Sequence, residues 1–132
     1  MNVETLIQTT LESVSGLTDH VYPLAGLKNA KAPFAFYLRV TQDEEDALDG
    51  LTGLQEAEFE LNFVAATYAK LVLISTLGQK ALRQLQGTNH DGLLIERVVC
   101  QQSSPDLLEE NVNLYRRRYR LQFDYQEVNE HE

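Results

Sequence analysis

Cysteine is nearly absent from this 132-residue chain: Cys100 is the one copy, which excludes an intrachain disulfide and suits a reducing compartment. Cys100 falls in a strand pattern and reads as a small buried hydrophobe rather than a nucleophile. The three histidines, His20, His90 and His131, lie far apart and outside any HxxxH or HxxE spacing, so a zinc site has no support. Basic residues are scarce, with 11 Lys+Arg against 20 Asp+Glu and a formal net charge of -9. Phosphate binding needs cations to replace counterions, so this balance argues against general nucleic-acid affinity. It leaves room for a partner with a basic patch. Long apolar runs are missing too; the clearest, Leu71 to Ile74, is far short of a membrane span. The start, MNVETLIQTTLESV, carries Glu4 and lacks the basic head and unbroken apolar run of a signal peptide. The expectation is a soluble protein made in the cytoplasm. No GxSxG, Walker or GxGxxG pattern occurs, so nothing asks for an enzyme, a metal or a cofactor.

What is present is ordinary globular material: 43% hydrophobic and 23% charged residues, enough for one domain without metal or disulfide staples. We expect that domain over residues 1–126, with a frayed tail over 127–132. Val3, Leu6, Ile7, Thr10, Leu11 and Val14 recur at helical spacing, with Asn2 as N-cap and Gly16 as stop. A short strand at Val21 and Tyr22 ends at Pro23, and Ala25 to Ala32 reads as loop. Pro33 opens FAFYLRVT, where Phe34, Phe36, Leu38 and Val40 alternate as in a strand. The next strand alternates Ala57, Phe59, Leu61, Phe63 and Ala65 against Glu56, Glu58, Glu60 and Asn62, the sign of an antiparallel sheet covered on one face. From about Thr67 the period becomes helical: Leu71, Ile74, Gly78, Ala81, Leu82 and Leu85 share a face. Gly78 on that stripe predicts close approach to the sheet, and Gly87 and Asn89 end the helix. Strands from Leu93 to about Gln102 and Leu114 to about Tyr125 complete the chain.

These elements predict an α+β fold: an antiparallel sheet of four or more strands with two helices packed on one face. Phe34, Phe36, Leu38, Phe59, Leu61, Phe63, Leu121 and Phe123 are the expected core, packed under Leu6, Leu11, Leu71, Ile74 and Leu82.

The stretch LYRRRYRLQFDY, residues 114–125, concentrates four arginines in five positions. As a strand it sets Tyr115, Tyr119, Leu121, Phe123 and Tyr125 on one face and Arg116, Arg118, Arg120, Gln122 and Asp124 on the other. Arg117 alone falls with the apolar set. The plainest account of Arg116, Arg118 and Arg120 is a cross-strand ladder with Glu56, Glu58 and Glu60. A subunit or partner interface on the same face comes next, and nucleic-acid readout last.

Between the first two long strands lies an acidic segment with Asp43, Glu44, Glu45, Asp46 and Asp49. An EF-hand order fails there, because the sixth position from Asp43 is Leu48 rather than glycine. The segment is longer than a hairpin needs. It reads equally as a solvated tip or as an interface.

Taken together, the N-terminal helix, VYPLAGLKNAKAPFAFYLRV, the acidic hairpin segment, AEFELNFVAATYAKLVLISTLGQKAL and YRRRYRLQFDY resemble the tail-completion (head–tail joining) proteins of long-tailed bacteriophages and prophages. The resemblance spans about Val3 to Tyr125. Its landmarks are Tyr22-Pro23, Pro33, the run through Ala65, Ala66, Thr67 and Tyr68 into a helix, and the aromatic last strand. It implies a small α+β protein similar in fold to lambda-like tail terminators, with no chemistry and no cofactor. It further implies a homo-oligomeric, hexameric ring in the virion at the head-proximal end of the tail. That ring would bind the tail tube protein and the head connector protein, and DNA would pass through its lumen without specific binding. Contacts would be made largely by loops and strand edges rather than by one large apolar patch, with the acidic segment as an interface or as a lumen lining that repels DNA. Another virion or secretion-tube ring protein of similar fold is the alternative, and a nucleic-acid-binding module using the Arg116/Arg118/Arg120 face the less favoured one. The resemblance implies no membrane contact.

Overall fold

Asn2 opens the first helix, its side chain accepting a hydrogen bond from the Thr5 amide at 2.8 Å. This helix, α1 (Val3–Glu12), buries Val3, Leu6, Ile7 and Leu11. Thr67 caps the second, α2 (Tyr68–Arg83), in the same way through the Lys70 amide at 3.2 Å. The computed structural model describes residues 2–24, 30–42 and 54–127. Within them the strands are β1 (Val21–Pro23), β2 (Phe34–Gln42), β3 (Leu54–Ala65), β4 (Asn89–His90), β5 (Leu93–Gln102), β6 (Leu107–Glu109) and β7 (Leu114–Glu127). The acidic segment 43–53 and residues 128–132 of the expected tail lie outside the described residues, as do 25–29 of the expected loop.

The fold is α+β, as expected, with both helices on one face of a single sheet of order β1-β2-β3-β7-β5-β4. β6 adds to β7. All pairings are antiparallel except β1 with β2, so the sheet is mixed. The two longest strands, β3 and β7, pair at its centre over twelve rungs.

Phe59, Leu61 and Phe63 on β3 and Leu121 and Phe123 on β7 are fully buried beneath the helices. Gly78 lies on the inner stripe of α2, where a Cβ would come within 2.6 Å of Phe63 Cζ. The helix can sit this close only because that position has no side chain.

One expected strand phase is reversed. Phe34, Phe36 and Leu38 do not pack under the helices. β2 pairs Ala35 with Phe63, Tyr37 with Leu61 and Arg39 with Phe59, so Ala35, Tyr37 and Arg39 share the helix-covered face. Phe34 and Phe36 join Val64 in a smaller cluster on the opposite face, with Tyr22, Leu38 and Leu114 against it. Val40, at a bulge between Arg39 and Thr41, is half-exposed. Alternate rows in β2 are both substantially apolar, and a one-residue shift exchanges the faces. Arg39 tolerates its position because its guanidinium lies 4.9 Å from the Phe59 ring centroid and pairs with Glu4 of α1 at 2.9 Å. Tyr37 donates to Gln8 Oε1 at 2.9 Å, and Gln8 Nε2 donates to the Val21 carbonyl at 2.6 Å, which ties α1 to β1 and β2.

The outer edge of β5 is covered by α2 and the residues after it. Gln79 and Arg83 both donate to the Cys100 carbonyl, at 2.7 and 3.0 Å, and the Val98 amide donates to Gln86 Oε1 at 3.0 Å. Side chains thus occupy backbone groups that would otherwise invite another strand.

Candidate functional site

The strand alternation of β7 sends Arg116, Arg118 and Arg120 to the face away from the helices, and β3 sends Glu56, Glu58 and Glu60 to the same face. The two strands are neighbours, so the rows do meet. Their register offsets them. Glu60 stands directly opposite Arg120, Asn62 opposite Arg118 and Val64 opposite Arg116, so the rows overlap by one rung. The ion pairs are therefore diagonal: Arg120 with Glu58 at 3.3 Å and Arg118 with Glu60 at 3.6 Å. Long side chains span such diagonals. Arg116, beyond the end of the glutamate row, turns to Glu109 of β6 at 3.2 Å. At the other end Glu56 stands opposite Asp124.

A shallow depression of about 280 Å³ lies on this face, lined by Val40, Glu58, Glu60, Ser103, Arg118 and Arg120. Its charged groups are paired, although the contact of Arg118 with Glu60 at 3.6 Å is an ion pair that leaves Arg118 Nε without a hydrogen-bond partner. Glu60 also accepts from Asn62 Nδ2 at 3.0 Å, and Arg120 Nη2 also donates to Gln122 Oε1 at 2.9 Å. A phosphate entering here would have to displace carboxylates from both arginines. The arrangement is that of a cross-strand ladder.

Arg117, the residue out of pattern, is where sequence reading fell short. It lies on the helix side with its side chain largely covered, and it grips Asp106 through two hydrogen bonds of 2.8 Å. Its third nitrogen donates to Ser75 Oγ on α2 at 3.1 Å. Asp106 in turn accepts from Tyr68 at 2.8 Å and Gln102 at 3.0 Å. The Arg117 guanidinium, above all, holds the Asp106 carboxyl below the usual carboxylate range. The same bonds raise the pKa of Arg117. The clue was available: a cation on an apolar strand face needs a carboxylate, and SSPD supplies one just upstream.

Cys100 is buried, and burial pushes its thiol up to about 12, which removes it as a nucleophile. His20 contacts the Lys31 carbonyl at 3.3 Å and His90 contacts Thr88 Oγ1 at 2.7 Å. Among the described residues no three His, Cys, Asp or Glu side chains are grouped to hold a metal, and no helix is long and apolar enough to cross a membrane. Asp43, Glu44, Glu45, Asp46 and Asp49 lie outside the described residues.

The chain matches no protein-family model and no curated protein sequence.

Proposed function

We propose that this protein is a structural subunit of a long-tailed bacteriophage or prophage particle, forming a ring at the head-proximal end of the tail that completes the tail tube and joins it to the head connector. The reading rests on the sequence resemblance, and the structure is compatible with it in that the landmark residues fall at element boundaries. The N-terminal helix leads to the strand at Tyr22-Pro23, and β2 begins directly after Pro33. β3 then runs through Ala65 and the Thr67 cap into α2, and the aromatic β7 closes the sheet at its centre. On this reading the protein works by shape and contact, without catalysis.

The pairing of Arg116, Arg118 and Arg120 with glutamates weighs against a nucleic-acid module, because these cations are locally balanced. It is compatible with DNA passing nearby without specific binding.

The test is removal of the gene from an inducible prophage that carries it, followed by electron microscopy of the lysate. Filled heads and detached tails are expected, with joining restored by the purified protein. Normal joined, infectious particles would overturn the proposal. A finer test replaces Gln42 to Gly53 with an Asn-Gly turn. If that segment is an interface, the variant folds but fails to join heads to tails; if joining is normal, the segment is only a tether.

A further inference from the structure

The helix α2 carries two apolar stripes. The inner one, Leu71, Ile74, Ser75, Gly78 and Leu82, is buried against α1 and the sheet. The outer one, Ala69, Val72, Leu73, Thr76 and Leu77, follows the same i, i+3, i+4, i+7, i+8 spacing, and every member is exposed. Leu73 is 49% exposed, and Val72 and Leu77 are each 36% exposed. A helix at a domain surface ordinarily turns polar residues outward; one that is apolar on both sides is ordinarily covered on both sides.

Charge identifies what would cover it. α2 contains Lys70, Lys80 and Arg83 and no acidic residue, although the chain as a whole has a formal net charge of -9. Lys80 is exposed and extends the outer stripe at i+11. The sequence Asp43–Gly53 is its complement: five acids, no base, and Ala47, Leu48 and Leu51 as apolar members. We infer that the outer face of α2 docks a second copy of this chain, which presents its Asp43–Gly53 sequence to the Ala69–Lys80 stripe. This rests on the assembly reading above and names the surface through which subunits meet.

The contact is heterologous, since the two surfaces differ, so each subunit can give one and receive one. A few side chains bury far less than the roughly 1,200–2,000 Å² of a standard stable interface. The single contact is therefore weak in solution and gains strength when several close together. An anionic lipid surface is the competing occupant, which the experiment below distinguishes.

The experiment places a photoreactive benzoylphenylalanine at Leu73 and irradiates a mixture of isotopically light and heavy copies at high concentration and low salt. Cross-linked peptides joining position 73 of one chain to the 42–53 sequence of a chain of the other isotope are expected. Leu77→Glu, at an exposed position, should keep the urea midpoint but lower that yield by at least about tenfold, since it removes one aliphatic contact and sets a carboxylate against the five acids of the partner sequence. Cross-links confined to single chains, cross-links mapping elsewhere, a yield indifferent to Leu77→Glu, or capture by anionic vesicles instead would each overturn the inference. The outcome is separable from the head–tail reading. If gene removal detaches heads from tails while these cross-links fail, only the assignment of this face falls.

Discussion

Arg117 and Asp106 are joined by two parallel hydrogen bonds of 2.8 Å, Nε to Oδ1 and Nη2 to Oδ2. The pair binds the turn after β5 to the middle of the fold, since Arg117 also reaches Ser75 on α2 and Asp106 also holds Tyr68 at the start of that helix. The Tyr68 ring packs edge-on against Tyr115, with centroids 5.7 Å apart. One salt bridge thus sets how the N-terminal turn of α2 sits on β7.

Removing one partner should cost more than removing both. Both side chains are under a fifth exposed, so Arg117→Ala leaves a carboxylate short of its main donor though still bonded to Tyr68 and Gln102, and about 1–3 kcal/mol should be lost. An Arg117→Met, Asp106→Leu double variant should recover part of it. Urea denaturation of the three proteins measures this. A cost below about 0.5 kcal/mol for Arg117→Ala would mean the pair behaves as a surface ion pair.

The same pair predicts a pH dependence. The folded-state pKa of Asp106 is depressed, so its contribution is fully present above the unfolded value near 3.9 and is lost as pH falls through the folded value. The stability gap between the native protein and Asp106→Asn should be constant from neutral pH down to about pH 5, where the carboxyl is ionised in both states. Below about pH 4 it should close. A gap that widened on acidification would contradict the sign.

Core truncations separate the two faces of the sheet. Phe59→Ala and Phe63→Ala should each cost about 3–5 kcal/mol, because both rings are fully buried. Gly78→Ala should also destabilise, by about 1–2 kcal/mol, since crowding the immobile Phe63 ring outweighs the gain in helix propensity. Urea midpoints decide it; a stabilised Gly78→Ala would show that α2 can lift from β3.

Double-mutant cycles test the diagonal ladder. Glu58 with Arg120 and Glu60 with Arg118 should each couple by tenths of a kcal/mol to about 1 kcal/mol, weakening with salt, because both pairs are partly solvated. Glu56 with Arg116 should show none, since Glu56 faces Asp124 and Arg116 faces Val64.

Cys100 should resist thiol reagents at pH 8 in the native protein and react promptly in urea, because the folded state buries the sulfur and keeps it protonated. Rapid native-state reaction would show that the β5 edge opens easily.

Much of this molecule is local information. Both helices are legible because their caps, Asn2 and Thr67, and their inner stripes lie within a few turns of each other. β3 and β7 are legible because one alternate row is apolar and the other charged, apart from Arg117. The outer stripe of α2 is equally present in AKLVLISTLGQK, where Lys70, Gln79 and Lys80 interrupt its aliphatic members. Tertiary structure decided the rest. Alternation says that β2 has two faces; only pairing with β3 says that Ala35 and Tyr37, not Phe34 and Phe36, meet the helices. Spacing says that arginines and glutamates form rows; only the β3–β7 register makes their pairs diagonal. The parallel setting of β1 on β2 and the grip of Arg117 on Asp106 depend on where the chain returns in space. Periodicity is a property of neighbours in sequence, whereas register, face and ion-pair partner are properties of neighbours in space, chosen by the energy of packing the whole sheet beneath its helices.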